Sequence, residues 1–334
     1  MSQILYKLLY SDYIRDICYN QFRTIMKNLQ FYVFNAIFSA VMKDFLKNYK
    51  HLPAPMEGIM RPAVMDVCTA LELSPVWITP FFRVSETVPK VKELKKFLAP
   101  FVPGKNRVIL QIMGNDPAKL AETALRGLEV GACGIDLNCG CPSNQVIRHG
   151  SGAAAMQNIE NTAGILAAIR QAIGKNFLSV KTRMGFESVN EAEKFLPLWE
   201  SAGTVDMFTL HYRTAREGYM AIPGRVERLT SARKLLKNAL VFGNGNISTL
   251  AEADDLCREC GLDGSMIGRN FWRNPFIFKN PALPPAEGRM ILWQELSKLP
   301  YGEKHWGQGS AIEMASLILG ANSPEASALK KSFR

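Results

Sequence analysis

The stretch from Gly134 to Ser143, GIDLNCGCPS, decides how this chain is read. An apolar run of β type halts at an Asn, two thiols, a glycine and a proline, so a strand delivers its chain straight into a chemically dense loop. The same design recurs on both sides. Runs of β type occur at LPAPM (52–56), VWIT (76–79), RVILQIM (107–113), GIDL (134–137), FLSVKTR (177–183), VDMFTL (205–210), LVFGN (240–244) and GSMIG (264–268), eight in all. Helix-period segments separate them. One runs over 116–130, with Asp116 as N-cap and Pro117 behind it, and another over 248–260, opened by Ser248.

Eight strands alternating with helices over about 220 residues predict the α/β class and a (β/α)8 TIM barrel, a fold of ~250 residues. A doubly wound open sheet is the competitor. The barrel is favoured by where polar residues fall: Pro55, Met56 and Glu57, Gln111, Asn138 to Cys141, Lys181 and Arg183, His211, Asn244 and Gly245, and Gly268 and Arg269 each sit at or just past a strand end. In a barrel all of them converge on one mouth, where active sites are built.

The flanks read differently. Residues 1–50 hold seven Lys/Arg and three Asp/Glu and include LQFYVFNAIFSAVM (29–42), 14 residues long. That run is shorter than the ~20 residues a bilayer requires and too far from the start for a secretory signal, so no membrane association is expected. A helical extension packed on the body is expected, with an organelle-targeting segment as the weaker alternative because acidic residues are present. The barrel is placed at 51–279. Residues 280–334 begin with a Pro-rich linker, NPALPPAEG (280–288), and continue as a short tail helical over 290–299 and 311–319.

Composition sets outer limits. With 334 residues, 47% hydrophobic and 21% charged, the chain is a folded protein rather than a disordered or fibrous one. A net charge of +10 and a pI near 9.2 favour polyanionic partners such as nucleic acid, a solvated basic surface being the plainer reading. Seven scattered cysteines argue against a disulfide framework and for a reducing, cytoplasmic setting. Cys257 and Cys260 form a C-x2-C without a second pair, so they are read as packing, and no metal site is expected.

Several residues at the mouth carry chemistry. The NGN turn (244–246) after strand seven and IGRN (267–270) after strand eight place glycines and Arg269 where barrels hold phosphate; tight β-to-α turns are the plainer alternative. Lys181 alternates with Val180 and Thr182 and is expected to point inward, either into a core salt bridge with Asp136 or Glu57 or against an electron-rich ring or phosphate. His211 closes strand six, a position as fit for a structural histidine as for a functional one. Cys141 lies between Gly140, expected to permit a sharp turn, and Pro142, which fixes the backbone, so its thiol is held in place. An ordinary thiol, near ~8.5, is mostly protonated at neutral pH and suits a general acid. Cys139 is read as a small hydrophobe facing the other way.

Taken in order, APMEG (54–58), LQIMGNDP (110–117), GIDLNCGCPSNQV (134–146) with HGSGAA (149–154), SVKTRMG (179–185), LHYRT (210–214), FGNGNI (242–247) and MIGRN (266–270) resemble the motif series of the tRNA-dihydrouridine synthases. The resemblance implies a flavin barrel with a helical tail that uses FMN and NADPH, or NADH, to saturate the C5–C6 bond of a D-loop uridine in tRNA. It makes Cys141 the acid for C5 and lays Pro55, Met56 and Glu57 along the flavin ring, with Gln111 and Lys181 at its polar edge. His211 lines the flavin site, and Asn244, Gly245, Asn246, Gly268 and Arg269 hold its phosphate. Arg83, Asn138 and Arg183 fall where RNA or the flipped uridine is met; no obligate protein partner is implied. TPFFRVSE (79–86) is most similar to the bacterial branch acting on position 16. The chain departs from the family at IMRPAVMDV (59–67), at Tyr212, which stands for a glycine and is expected to narrow the pocket, and at Phe242 and Asn246. These departures keep two alternatives open: a degenerate paralogue with little activity, and a flavin barrel reducing a free pyrimidine.

Overall fold

The computed structural model describes residues 42–101, 107–303 and 305–332. Its strands are β1 (His51–Pro53), β2 (Val76–Ile78), β3 (Phe82–Arg83), β4 (Arg107–Met113), β5 (Gly134–Cys139), β6 (Phe177–Arg183), β7 (Met207–His211), β8 (Leu240–Asn244) and β9 (Gly264–Ile267). They join in the order β1-β9-β8-β7-β6-β5-β4-β2, with β3 also on β4, and every pairing is parallel. β1 and β2 meet at the seam, so the sheet curls into a nearly closed eight-stranded barrel with helices outside. The open-sheet alternative is thereby excluded. β3 is the continuation of β2: Pro80 has no N–H to offer, the ladder skips, and pairing with β4 resumes at Phe82 opposite Ile112.

The helix after β4 spans Pro117–Glu129 and is capped as its sequence predicts, the Asp116 side chain accepting from the Lys119 N–H. The helix after β8 corrects the expectation. It spans Leu250–Cys260 and is capped by Thr249, not Ser248, because the Thr249 side chain accepts from the Glu252 N–H while the Glu252 carboxylate accepts from the Ser248 N–H. The expected linker also shortens, since a tail helix already begins at Pro285, where proline suits a first turn. That helix (Pro285–Ser297) is followed by Gln308–Ile318 and by a third, Pro324–Ser332, which the sequence reading missed.

Inside the barrel, polarity rises along the strands. Near their N-terminal ends Leu52, Val76, Ile78, Ile109, Phe177, Met207, Leu240, Phe242 and Met266 form a separate buried core. Alternation then turns the next inward positions polar: Phe177 is followed by Ser179, Lys181 and Arg183, Met207 by Thr209 and His211, and Phe242 by Asn244. The apolar layer is a floor, and the chemistry sits above it.

Residues 42–48 are helical and close that floor from below, with Met42 and Leu46 packed into the same core. The Arg107 guanidinium lies 4.0 Å from the Phe45 ring, and Lys43 pairs with Asp206 at 3.0 Å. The expected helical extension is thus integral at its C-terminal end; the rest of that expectation, residues 1–41, lies outside the described residues. Leu46 is 0% exposed, so Leu46→Ala is expected to cost ~2–4 kcal/mol, read as a lower urea midpoint at constant slope.

Candidate active site

The strand ends open into a cleft of about 740 Å³. Fourteen of the fifteen residues proposed from sequence line it: Cys141; Pro55, Met56, Glu57, Gln111, Lys181 and His211; Asn244, Gly245, Asn246, Gly268 and Arg269; and Asn138 and Arg183. Arg83 is the exception, half-buried in β3 and outside the lining.

The Cys141 loop is held by hydrogen bonds at several atoms. The Asn138 side-chain oxygen accepts the N–H of Gly140 and of Cys141, each at 3.1 Å, and the Cys141 carbonyl accepts the Ala153 N–H at 3.0 Å. Gly140 is not in the left-handed region, so the expected sharp turn is not its role; a Cβ there would stand 3.3 Å from the Thr182 backbone, and glycine is needed for close packing on β6. Gly152 crowds the loop from the other side and sits at φ +59°, where a Cβ would approach Cys141 Cβ at 3.1 Å. Cys139 is buried, and burial drives its pKa well up, as suits a small core residue.

Cations dominate the cleft. Lys181 Nζ donates to Asn244 Oδ1 at 3.1 Å, and Asn244 Nδ2 donates to the Met266 carbonyl at 2.8 Å. Among the described residues no carboxylate comes within 4 Å of Lys181, so the core salt bridge with Asp136 or Glu57 does not form. Burial, with Arg183 adding, pulls the Lys181 pKa to about 8. Burial also drives His211 well below the usual imidazole value, helped by Arg183, Lys181, Arg213 and Arg269, so the ring is neutral. Its Nδ1 accepts from the Arg213 N–H at 3.4 Å, which leaves Nε2 as the protonated nitrogen.

Arg183 is buried and spends its guanidinium on backbone. Nε donates to the Gly140 carbonyl and Nη1 to those of Thr214 and Gly218, each at 2.9 Å. It ties the Cys141 loop to the loop after β7. Arg213, missed from sequence, holds that second loop through the Met220 carbonyl. Tyr219, 65% exposed, thus stands at the cleft between the guanidiniums of Arg183 and Arg269, 5.4 and 5.7 Å from its ring centroid. Nothing periodic in its loop marks this tyrosine, and it too was missed.

Tyr212 does not narrow the pocket. It is 2% exposed, stacks on His211 at 5.7 Å and packs over Gly245, whose φ of +115° and lack of Cβ make the room. Asn246 follows with φ +53°. Among the described residues the N–H groups of Gly245 and Asn246 meet no acceptor, and the Arg269 guanidinium has no ion-pair partner. Unused N–H donors beside a free guanidinium form a seat for an anion. Cys257 and Cys260 are buried and outside the cleft lining, and no group of potential metal ligands occurs among the described residues.

A family model described as dihydrouridine synthase (Dus) matches residues 52–299. The tRNA-dihydrouridine(16) synthase of Haemophilus influenzae is 30% identical over 253 residues, 74% of this chain and 80% of that protein. Its namesake in Escherichia coli K12 is 31% identical over 247 residues, 71% of this chain and 78% of that protein. Among solved structures, a 2-naphthoyl-CoA reductase complex aligns with a TM-score of 0.55 at 12% identity, covering 70% of this chain and 49% of that one, a likeness of fold alone.

Proposed function

The chain belongs to the dihydrouridine synthase family, whose members are FMN-dependent oxidoreductases, and on that premise we propose that it reduces the C5–C6 bond of uridine 16 in the tRNA D-loop. FMN in the cleft, NADPH or NADH as reductant, and Cys141 as proton donor complete the reading. The observation that carries it is the cleft's charge: Lys181 and Arg269 face it with no carboxylate partner among the described residues, beside the acceptor-free N–H groups of Gly245 and Asn246.

These residues fit the cofactor. Gly245, Asn246, Gly268 and Arg269 would hold its phosphate, Lys181 and Gln111 the polar edge of its ring, and Pro55, Met56 and Glu57 the ring's flank. Bound FMN supplies the hydride. The chain supplies the rest: the Asn138 and Arg183 contacts hold Cys141 where its S–H can protonate C5, and neutral His211 lines the ring without adding a fifth charge to the cluster. Tyr219 stands exposed where the RNA would enter and the net charge of +10 favours its phosphates, and the target base must leave its stack to enter the mouth. No helix among the described residues is long and apolar enough to cross a membrane, and a cytoplasmic setting belongs to this reading.

The test is incubation of the purified protein with NADPH and unmodified tRNA, followed by mapping of dihydrouridine. New dihydrouridine at position 16, abolished in a tRNA with cytidine there, is the expected result; reduction at another position overturns the site assignment. A yellow protein that leaves tRNA untouched points to the free-pyrimidine reductase, and a colourless protein that stays inactive after refilling with FMN points to the degenerate paralogue.

A further inference from the structure

Beneath the cleft lies a carboxylate to which the proposed reaction gives no role. Asp136, 0% exposed, sits on β5 one inward position below Asn138. It accepts from Ser179 Oγ at 2.6 Å and from Gln111 Nε2 at 2.7 Å. Gln111 Oε1 accepts from Asn138 Nδ2 at 2.9 Å, and Asn138 Oδ1 accepts the two N–H groups of the Cys141 loop.

We infer that Asp136 is a positioning residue: its charge sets the direction of a hydrogen-bond relay through Gln111 and Asn138 that seats Cys141. An ionised carboxylate only accepts, so the Gln111 amide must turn its NH2 downward and its oxygen toward Asn138. Asn138 must then present NH2 to Gln111, and its oxygen is left for the backbone of Gly140 and Cys141. Every amide in the chain has one permitted orientation, fixed by one buried charge. Without it both amides can flip, and a flipped Asn138 would point an NH2 at two N–H donors and release the loop.

Asp136 is also placed to make the relay titrate. Burial pushes its carboxyl up to about 6, opposed by Ser179, Gln111 and Lys181. The groups facing it are Ser179 and Lys181 from β6 and Gln111 from β4; Cys139, on its own strand, points to the opposite face. Once protonated it can donate to Gln111 and favour the reversed relay, so the wild type loses turnover as pH falls through about 6.

The inference rests on the function proposed above, and its test separates the two. In FMN-loaded Asp136→Leu, kcat is expected to fall about 30- to 100-fold with KM for tRNA within about threefold, a loss of alignment rather than of binding. In Asp136→Asn the side chain keeps its shape but can turn either its oxygen or its NH2 to Gln111, so kcat at pH 8 falls about tenfold, less than in the leucine variant, and the acid limb disappears. Iodoacetamide labelling of Cys141, read by mass spectrometry on the protein before FMN loading, should speed up about tenfold in Asp136→Leu and by less in Asp136→Asn. That labelling reports the relay even if Cys141 is not the proton donor. Unchanged labelling and kcat in a folded Asp136→Leu overturn the inference. So does an acid limb that persists in Asp136→Asn, which decides the matter by itself if the leucine variant does not fold.

Discussion

Cys141→Ala is expected to keep the fold and its full FMN content while dihydrouridine formation falls about 10²- to 10⁴-fold, the range for losing a positioned proton donor. The expectation separates binding from chemistry because of what the Cys141 side chain does not do. The loop is held through backbone atoms, by Asn138 on the N–H side, Ala153 on the carbonyl side and Arg183 through Gly140, so removing Sγ leaves all three in place. The anion seat at Gly245, Asn246 and Arg269 lies past the ends of β8 and β9 and is untouched. Visible absorption should therefore match the wild type, and single-turnover oxidation of the reduced protein by tRNA should be the step that slows. Full activity in the alanine variant would remove Cys141 from the chemistry. Loss of flavin along with activity would make it a packing residue.

The barrel was legible because two simple signals coincide. β5 and β6 combine apolar runs of strand length with polar residues at their C-terminal ends, and alternation alone puts Asp136 with Asn138 and Lys181 with Arg183 on one face. What escaped depends on distances that sequence does not encode. Gly140 reads as a turn residue, yet its need is the closeness of Thr182, forty-two positions away. Tyr212 reads as an obstruction beside the cofactor, yet the missing Cβ of Gly245 gives it somewhere else to go. The plug at 42–48 reads as part of a separate extension because its few apolar residues are matched only by a floor drawn from seven separate strands. From sequence Asp136 is only one of two possible partners for Lys181; its actual partners, Gln111 and Ser179, appear only once β4, β5 and β6 are in register.

Lys181→Met is expected to weaken FMN binding about 10- to 100-fold, the worth of one charge-assisted hydrogen bond in a water-poor site. Titration of the protein with FMN, followed by fluorescence, measures it, and the pH dependence identifies the cause. In the free protein burial holds the Lys181 pKa at about 8, below its ordinary 10.5, so the ammonium is present below pH 8 and lost above it. Wild-type affinity should accordingly fall as pH rises through about 8, while the methionine variant, with no charge to lose, stays flat over the same window. Stability must move the other way. Between about 8 and 10.5 the unfolded chain holds a proton on this lysine that the folded chain has released, so unfolding free energy of the free protein rises with pH there, and Lys181→Met removes that rise. Two opposite slopes in one pH window, both abolished by one substitution, are hard to obtain from a lysine that merely fills space. If wild-type affinity and stability are both flat between pH 7 and 10, Lys181 is not the cation that meets the flavin.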